Sequence, residues 1–447
     1  MKTPICDFVR AYASRQPMRL HMPGHKGEGP LGAEALDITE IPGADVLYAP
    51  AGIIAESEAN AAALFGSART VYSAEGSSLC IRAMLYLARL WAAERRKPPL
   101  VLAGRNAHKA FLSGAALLDL NVEWLFPEVS GAGVLSCPIS ARTLDERLAE
   151  YGSCAPIVYI TSPDYLGNTA DIGALSAVCR RHGALLLVDN AHGAYLKFLH
   201  PSRHPLDLGA DLCCDSAHKT LPVLTGGAYL HLSRQAPHSL TDAADRAMSL
   251  FASTSPSYLI LQSLDAANRY LSQNYVDSLR DTAARVSQLR STLRSVGWDC
   301  AGDEPLKLTL RTKARGHTGA EVAAVLEQYD LHCEFADPDH IVFMFTPEVP
   351  VAAYHALLGA LYGIPPKEAL TEAPPFFCQP SRILSPRQAM LSPAENVPVE
   401  TAPGRILAAP GVSCPPAVPI LVCGERIDED AVRAFRYYGI DRVTVVK

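Results

Sequence analysis

Lys219 stands within Asp215-Ser-Ala-His-Lys219-Thr-Leu-Pro, a segment that directly follows the apolar stretch 212–214. A lysine set after a strand, with Ser216 and His218 beside it, has what carbonyl chemistry needs. Partial burial lowers the ammonium pKa so that the free amine can attack an aldehyde, and the hydroxyl and imidazole can donate to a phosphate. On its own the same pattern also describes a surface lysine at a strand end. Thirty residues earlier, Asp189 ends the run 184–188 and opens Asn190-Ala-His192-Gly. A carboxylate at that tip suits an anion facing a protonated ring nitrogen; the plainer reading is a turn cap. A third cluster, Ser73-Ala-Glu-Gly76-Ser77-Ser78, precedes a helical pattern, so its hydroxyls and free N–H groups make either an anion site or an ordinary N-cap. The fourth, Arg105-Asn-Ala-His108-Lys109, follows 99–104 and puts an imidazole where it could stack on a flat ring or serve structurally.

These residues sit at the ends of short apolar runs. PLVLAGRN, APIVYITSP, GALLLVDNAHG and ADLCCDSAHK read as buried strands, with helical patterns at Ser57–Phe65, Leu79–Arg95, Leu144–Tyr151 and Ile172–His182 between or before them. Alternating strands and helices predict an α/β domain with a mostly parallel sheet, and ligands in such sheets bind beyond the carboxyl ends of strands. Long helices at Tyr258–Leu271 and Asn274–Val296 follow. Then come the strands LKLTLRT and HIVFMFT around a helix at Ala320–Tyr329, a Pro-rich stretch, and a tail that ends in a helix at Asp428–Tyr438. The expected division is an N-terminal segment and large domain over 1–260, a small α+β domain over 261–363, a linker over 364–381 and a C-terminal α+β domain over 382–447.

Composition excludes several classes. With 447 residues and 49% hydrophobic content the chain can bury a large core, and its formal net charge of −6 lacks the basic footprint of a nucleic-acid binder. No apolar run is long enough to span a membrane, and the N-terminus carries charges where a signal peptide would be apolar, so a cytoplasmic protein is expected. The 12 cysteines include no C-x-x-C pair and read as buried, reduced thiols, with no metal site expected.

The four clusters, in this order, resemble the fold-type-I ornithine/lysine/arginine decarboxylases, in the shorter form without an N-terminal wing domain. The resemblance extends to His21-Met-Pro-Gly-His-Lys26-Gly, Thr39-Glu-Ile-Pro-Gly-Ala-Asp45, Ser253-Thr-Ser-Pro-Ser-Tyr258, Cys333-Glu-Phe-Ala-Asp337 and the tail segments Leu391-Ser-Pro-Ala-Glu and Pro419–Ile427. It implies an aspartate-aminotransferase-like large domain, pyridoxal 5′-phosphate (PLP) as cofactor, and decarboxylation of arginine, lysine or ornithine. By the same resemblance Lys219 carries the cofactor as a Schiff base, Asp189 pairs with the pyridine nitrogen, and Ala191 and His108 flank the ring. Ser77, Ser78, Ser216 and His218 hold the phosphate, His192 belongs to the cofactor site, and Lys219 or His218 protonates Cα. Ser253 and Thr254 reach across a homodimer interface into a shared site.

The chain departs from the family pattern around this core. Glu75 replaces Asn in NGTS, Asn190 and Tyr195 replace Glu and His in DEAHGAH, Asp164 stands in SPTYYG, and Gly226 replaces a Gln. These changes leave the substrate open. Glu40, Asp45, Glu334 and Asp337 are candidates for its distal cation. Amino transfer, aldol cleavage and a non-catalytic PLP-binding role are the alternatives on this scaffold.

Overall fold

The computed structural model describes residues 1–127, 134–375, 379–409, 413–414 and 418–447. Three residues of the expected linker, 376–378, lie outside this set. Seven strands form the large sheet: β1 (Arg69–Ser73), β2 (Pro99–Gly104), β3 (Asn121–Leu125), β4 (Ala155–Thr161), β5 (Leu185–Asp189), β6 (Leu212–Asp215) and β7 (Ala228–Leu232). Their order is β1-β7-β6-β5-β4-β2-β3, and β7 alone runs antiparallel to its neighbours. The central strands are near-continuous apolar runs because both faces of the sheet are covered. Val101, Ile157, Tyr159 and Leu187 pack on one face with Leu79, Met84 and Leu87 of the helix Gly76–Glu94. Leu102, Val158, Ile160 and Leu186 pack on the other with Leu144, Leu175 and Val178.

The helix Tyr275–Ser295 links two cores. Tyr275 and Leu279 join the large-domain cluster, whereas Val286, Leu289 and Leu293 pack on a second sheet. That sheet contains β8 (Asp299–Ala301), β9 (Lys307–Arg311), β10 (Phe335–Ala336) and β11 (His340–Met344), all antiparallel, in the order β10-β11-β9-β8. Leu308 and Leu310 face the helix. The opposite face of β9 meets the large domain, where Thr309 Oγ1 donates to the Leu166 carbonyl at 2.7 Å.

In the C-terminal segment Ala394–Pro398 pairs antiparallel with Arg442–Val446, and Asp428 caps the helix Glu429–Tyr437. This segment is joined to the large domain by a buried ion pair. Arg105 Nη2 lies 2.9 Å from Glu425 Oε2 and also donates to the Ile420 carbonyl. No helix among the described residues is long and apolar enough to cross a membrane.

Candidate active site

The four sequence clusters converge at the carboxyl edge of the large sheet. β5 ends on Asp189, which is 2% exposed. Its Oδ2 accepts from the Tyr159 hydroxyl at 2.9 Å, and its Oδ1 accepts from the Ala191 N–H at 3.2 Å. Among the described residues no basic side chain forms an ion pair with it, although Lys219 and His108 lie near enough to feel its charge.

Lys219 lies in a single helical turn, Ala217–Thr220, that follows β6. Its Nζ is 3.0 Å from His192 Nε2. Burial lowers the Lys219 pKa, with Asp189 and Glu334 opposing. Burial also drives the His192 pKa well down, helped by the positive charges of Lys219 and Lys307. His108 caps the helix Lys109–Leu117 by accepting the Ala110 N–H on Nδ1. The neutral ring therefore carries its proton on Nε2. Burial lowers its pKa against the pull of Asp189.

The anion site is built from two segments. Gly76 begins a 19-residue helix whose N-cap, Glu75, makes no side-chain capping bond, so the N–H groups of Ser77 and Ser78 stay available. Ser216 Oγ donates to Ser77 Oγ at 2.7 Å, bringing two hydroxyls together at that helix end. His218 Nδ1 lies 2.9 Å from the Gly227 carbonyl. The Gly76 N–H donates to the Gly226 carbonyl at 2.7 Å. Gly226 has φ +101°, and a Cβ there would lie 3.0 Å from the Ala74 carbonyl oxygen. This close approach accounts for glycine where the family pattern has Gln. Ser253 donates its N–H to Glu75 Oε1 at 2.7 Å, and Ser253 and Thr254 are exposed at the rim.

The remaining departures and acids take distinct places. Asn190 Nδ2 donates to Asp215 Oδ1 at 2.7 Å. Asp215 also lies 3.0 Å from His204 Nε2 and 3.3 Å from His231 Nε2, all three side chains being fully buried. Asp164 accepts the N–H groups of Leu166 and Asn168, closing the turn after β4. Asp45 is spent on five N–H groups at and before the start of the helix Ile53–Phe65, and Asp337 on those of Asp339 and His340. Asp45 has both oxygens engaged, whereas the buried Asp337 keeps Oδ2 without a hydrogen-bond partner. Glu334 is exposed, with Oε1 accepting from Tyr165 at 2.7 Å. Tyr165 in turn stands edge-on to His192, so Glu334 borders the lysine site.

Residues 3–304 match the family described as "Orn/Lys/Arg decarboxylase, major domain", and residues 369–442 match its C-terminal domain. The chain belongs to the Orn/Lys/Arg decarboxylase family. As a member of that family it is a PLP-dependent decarboxylase acting on a basic amino acid. Similar proteins include the uncharacterized protein YaaO of Bacillus subtilis, 30% identical over 97% of this chain and 93% of that one. An arginine decarboxylase of the same organism is 29% identical over 96% of this chain and 92% of its own. In fold the chain is similar to the constitutive lysine decarboxylase of E. coli, with TM-score 0.78, 18% identity, and coverage of 100% of this chain and 82% of that one.

Sequence reasoning missed Tyr159, which supports Asp189. It also missed Lys307, which approaches His192, and Glu304, which pairs with Lys307. Tyr159 sits inside an apolar run, where a hydroxyl aimed at the neighbouring strand tip leaves no pattern. Lys307 had a weak signal, a lysine between leucines in EPLKLTL.

Proposed function

We propose that Lys219 is the lysine that carries PLP, and that the substrate is arginine. The observation that carries the first part is the buried Asp189, without an ion-pair partner among the described residues, at one strand tip, with a buried lysine of lowered pKa after the next. The residues fit the cofactor in charge and chemistry. Asp189 supplies an anion for the pyridine nitrogen, with Ala191 and His108 flanking the ring. Ser77, Ser78 and Ser216, with the free N–H groups of Ser77 and Ser78, supply donors for the phosphate, and His218, its Nδ1–H turned to the Gly227 carbonyl, would add one from Nε2 as an imidazolium. PLP bound there supplies a sink for the electron pair released when the Cα–carboxylate bond breaks. Asp189 keeps the ring nitrogen protonated, and Tyr159 fixes the carboxylate that does so. Lys219 Nζ, beside His192, would take up a proton from the incoming substrate ammonium and return it to Cα, with His218 as the alternative donor. Glu334, held by Tyr165, is the acid best placed for the distal cation.

Arginine is supported by the curated relatives named arginine decarboxylase, at 27–29% identity over 95–97% of this chain. Borohydride treatment of the PLP-loaded protein should fix a pyridoxyl group on the Lys219 peptide, and Lys219→Ala should abolish both that label and turnover. A label on another lysine would overturn the assignment. Release of CO2 and amine should be fastest from arginine; faster release from lysine or ornithine would reassign the substrate.

The protein acts in the cytoplasm as a homodimer with shared sites. The exposed Ser253–Ser255 stretch at the rim of the phosphate cup supports the dimer. Mixed dimers of Lys219→Ala and Thr254→Ala chains should regain activity, because one site in each would be whole. Heterodimers without activity would refute shared sites.

A further inference from the structure

Beside two departures from the family pattern, Asp164 and Tyr195, lies a buried lysine that no motif contains. Lys307 lies on β9 of the small sheet and is 2% exposed. Its Nζ is 2.9 Å from Glu304 Oε2, donates to the Asp164 carbonyl at 3.2 Å, and lies 3.5 Å from His192 Nδ1. Tyr195 faces Glu304 from the large domain. The other ring nitrogen of His192 is the one 3.0 Å from Lys219 Nζ. One imidazole thus stands between Lys219, in the helical turn after β6, and Lys307, on β9.

Hydrogen-bond chemistry orders this chain. An ammonium has donors only, so the Nδ1 facing Lys307 must present its lone pair. A neutral imidazole then carries its single proton on Nε2. That N–H points at Lys219, and only a lone pair can receive it. A second proton on His192 would place an imidazolium between two amines, and burial together with both lysines opposes it.

We propose that Lys307 is a positioning residue that sets the tautomer of His192 from the small domain, and thereby holds Lys219 as a free amine. The proposal rests on the reading of Lys219 given above. The groups that face Lys219 are Asp189, Glu334 and Cys214, which favour its charged form, and Lys307, which opposes it; burial is the largest effect and also opposes charge. Those that face His192 are Lys219, Lys307, His108 and His218. Glu304 is pushed up by burial and drawn back by Lys307.

The test is the reactivity of Lys219 in the full-length protein stripped of PLP. Competitive labelling with isotopic acetic anhydride from pH 6 to 11, read on the Lys219 peptide by mass spectrometry, gives its titration curve. Lys307→Met should move that curve up by about one pH unit, a roughly tenfold loss of reactivity at pH 7.5. Lys307→Arg, which keeps charge and donors, should restore most of it. An unmoved curve in a folded Lys307→Met protein would overturn the proposal, as would a shift that arginine fails to restore. Lys307→Met leaves Glu304 without its partner, so Lys307→Met/Glu304→Gln is measured in parallel and decides the matter if the single variant does not fold. Borohydride trapping on the wild type keeps the two readings apart. Failure to label Lys219 there sinks the cofactor assignment, whereas a labelled Lys219 with an unmoved curve sinks only the role of Lys307.

Discussion

Asp189 and Asp215 end adjacent strands, β5 and β6, and both are buried. Asp215 is surrounded by His204, His231 and Asn190, so its charge is met on every side. Burial opposes its ionisation, but the two histidines outweigh burial and hold the carboxyl far below the ordinary range. Asp189 has a tyrosine hydroxyl, a backbone N–H and a distant thiol, and among the described residues no cation bonded to it. Depth and residue type are the same at the two tips; only compensation differs. A compensated buried carboxylate holds structure together, and an uncompensated one is poised for a charged ligand.

Three substitutions probe that contrast, in falling order of expected effect. Asp189→Asn should leave the fold intact and lower kcat about a thousandfold, equivalent to about 4 kcal/mol of transition-state stabilisation. Near-normal turnover would mean that the ring is not tuned from this tip. Asp215→Asn should instead cost about 3 kcal/mol of stability, as expected when a buried pair loses one partner, which denaturant titration would read. This loss carries a pH signature. Because the folded carboxyl is depressed, its contribution is present above the unfolded value of about 3.9 and fades as pH falls through the lower folded value. The stability gap between wild type and variant should therefore be widest at neutral pH and close in acid. A gap that widens in acid would contradict the assignment. Smallest is Tyr159→Phe, which removes one donor from Asp189; the loss of about 1 kcal/mol should lower kcat severalfold at unchanged stability.

What the sequence made legible follows the same division. Asp189, Lys219, Ser77 and His108 lie in contiguous motifs at the ends of apolar runs, so local pattern was enough to order them along one sheet edge. Strand β7 was missed because Tyr229 and His231 interrupt its apolar run, although both are fully buried and His231 serves Asp215. Lys307 was missed for a related reason. In β9 the leucines alternate with Lys307, Thr309 and Arg311, which reads as one wet face. The large domain covers the start of that face, and nothing local announces it. Asp45 looked available as a bare acid, yet both its oxygens are taken by backbone N–H groups, most of them six to ten residues on, that the folded chain brings to it.

The ion pair between Arg105 and Glu425 bears on how such a chain can be rearranged. Arg105 is 7% exposed and sits on the loop that carries His108, while Glu425 belongs to the C-terminal segment. A recombinant that grafts this tail from a relative lacking the glutamate would strand a guanidinium in the interior beside the cofactor edge. The tail is separable as a stretch of sequence, but its exchange between lineages is constrained to partners that bring both halves of the pair.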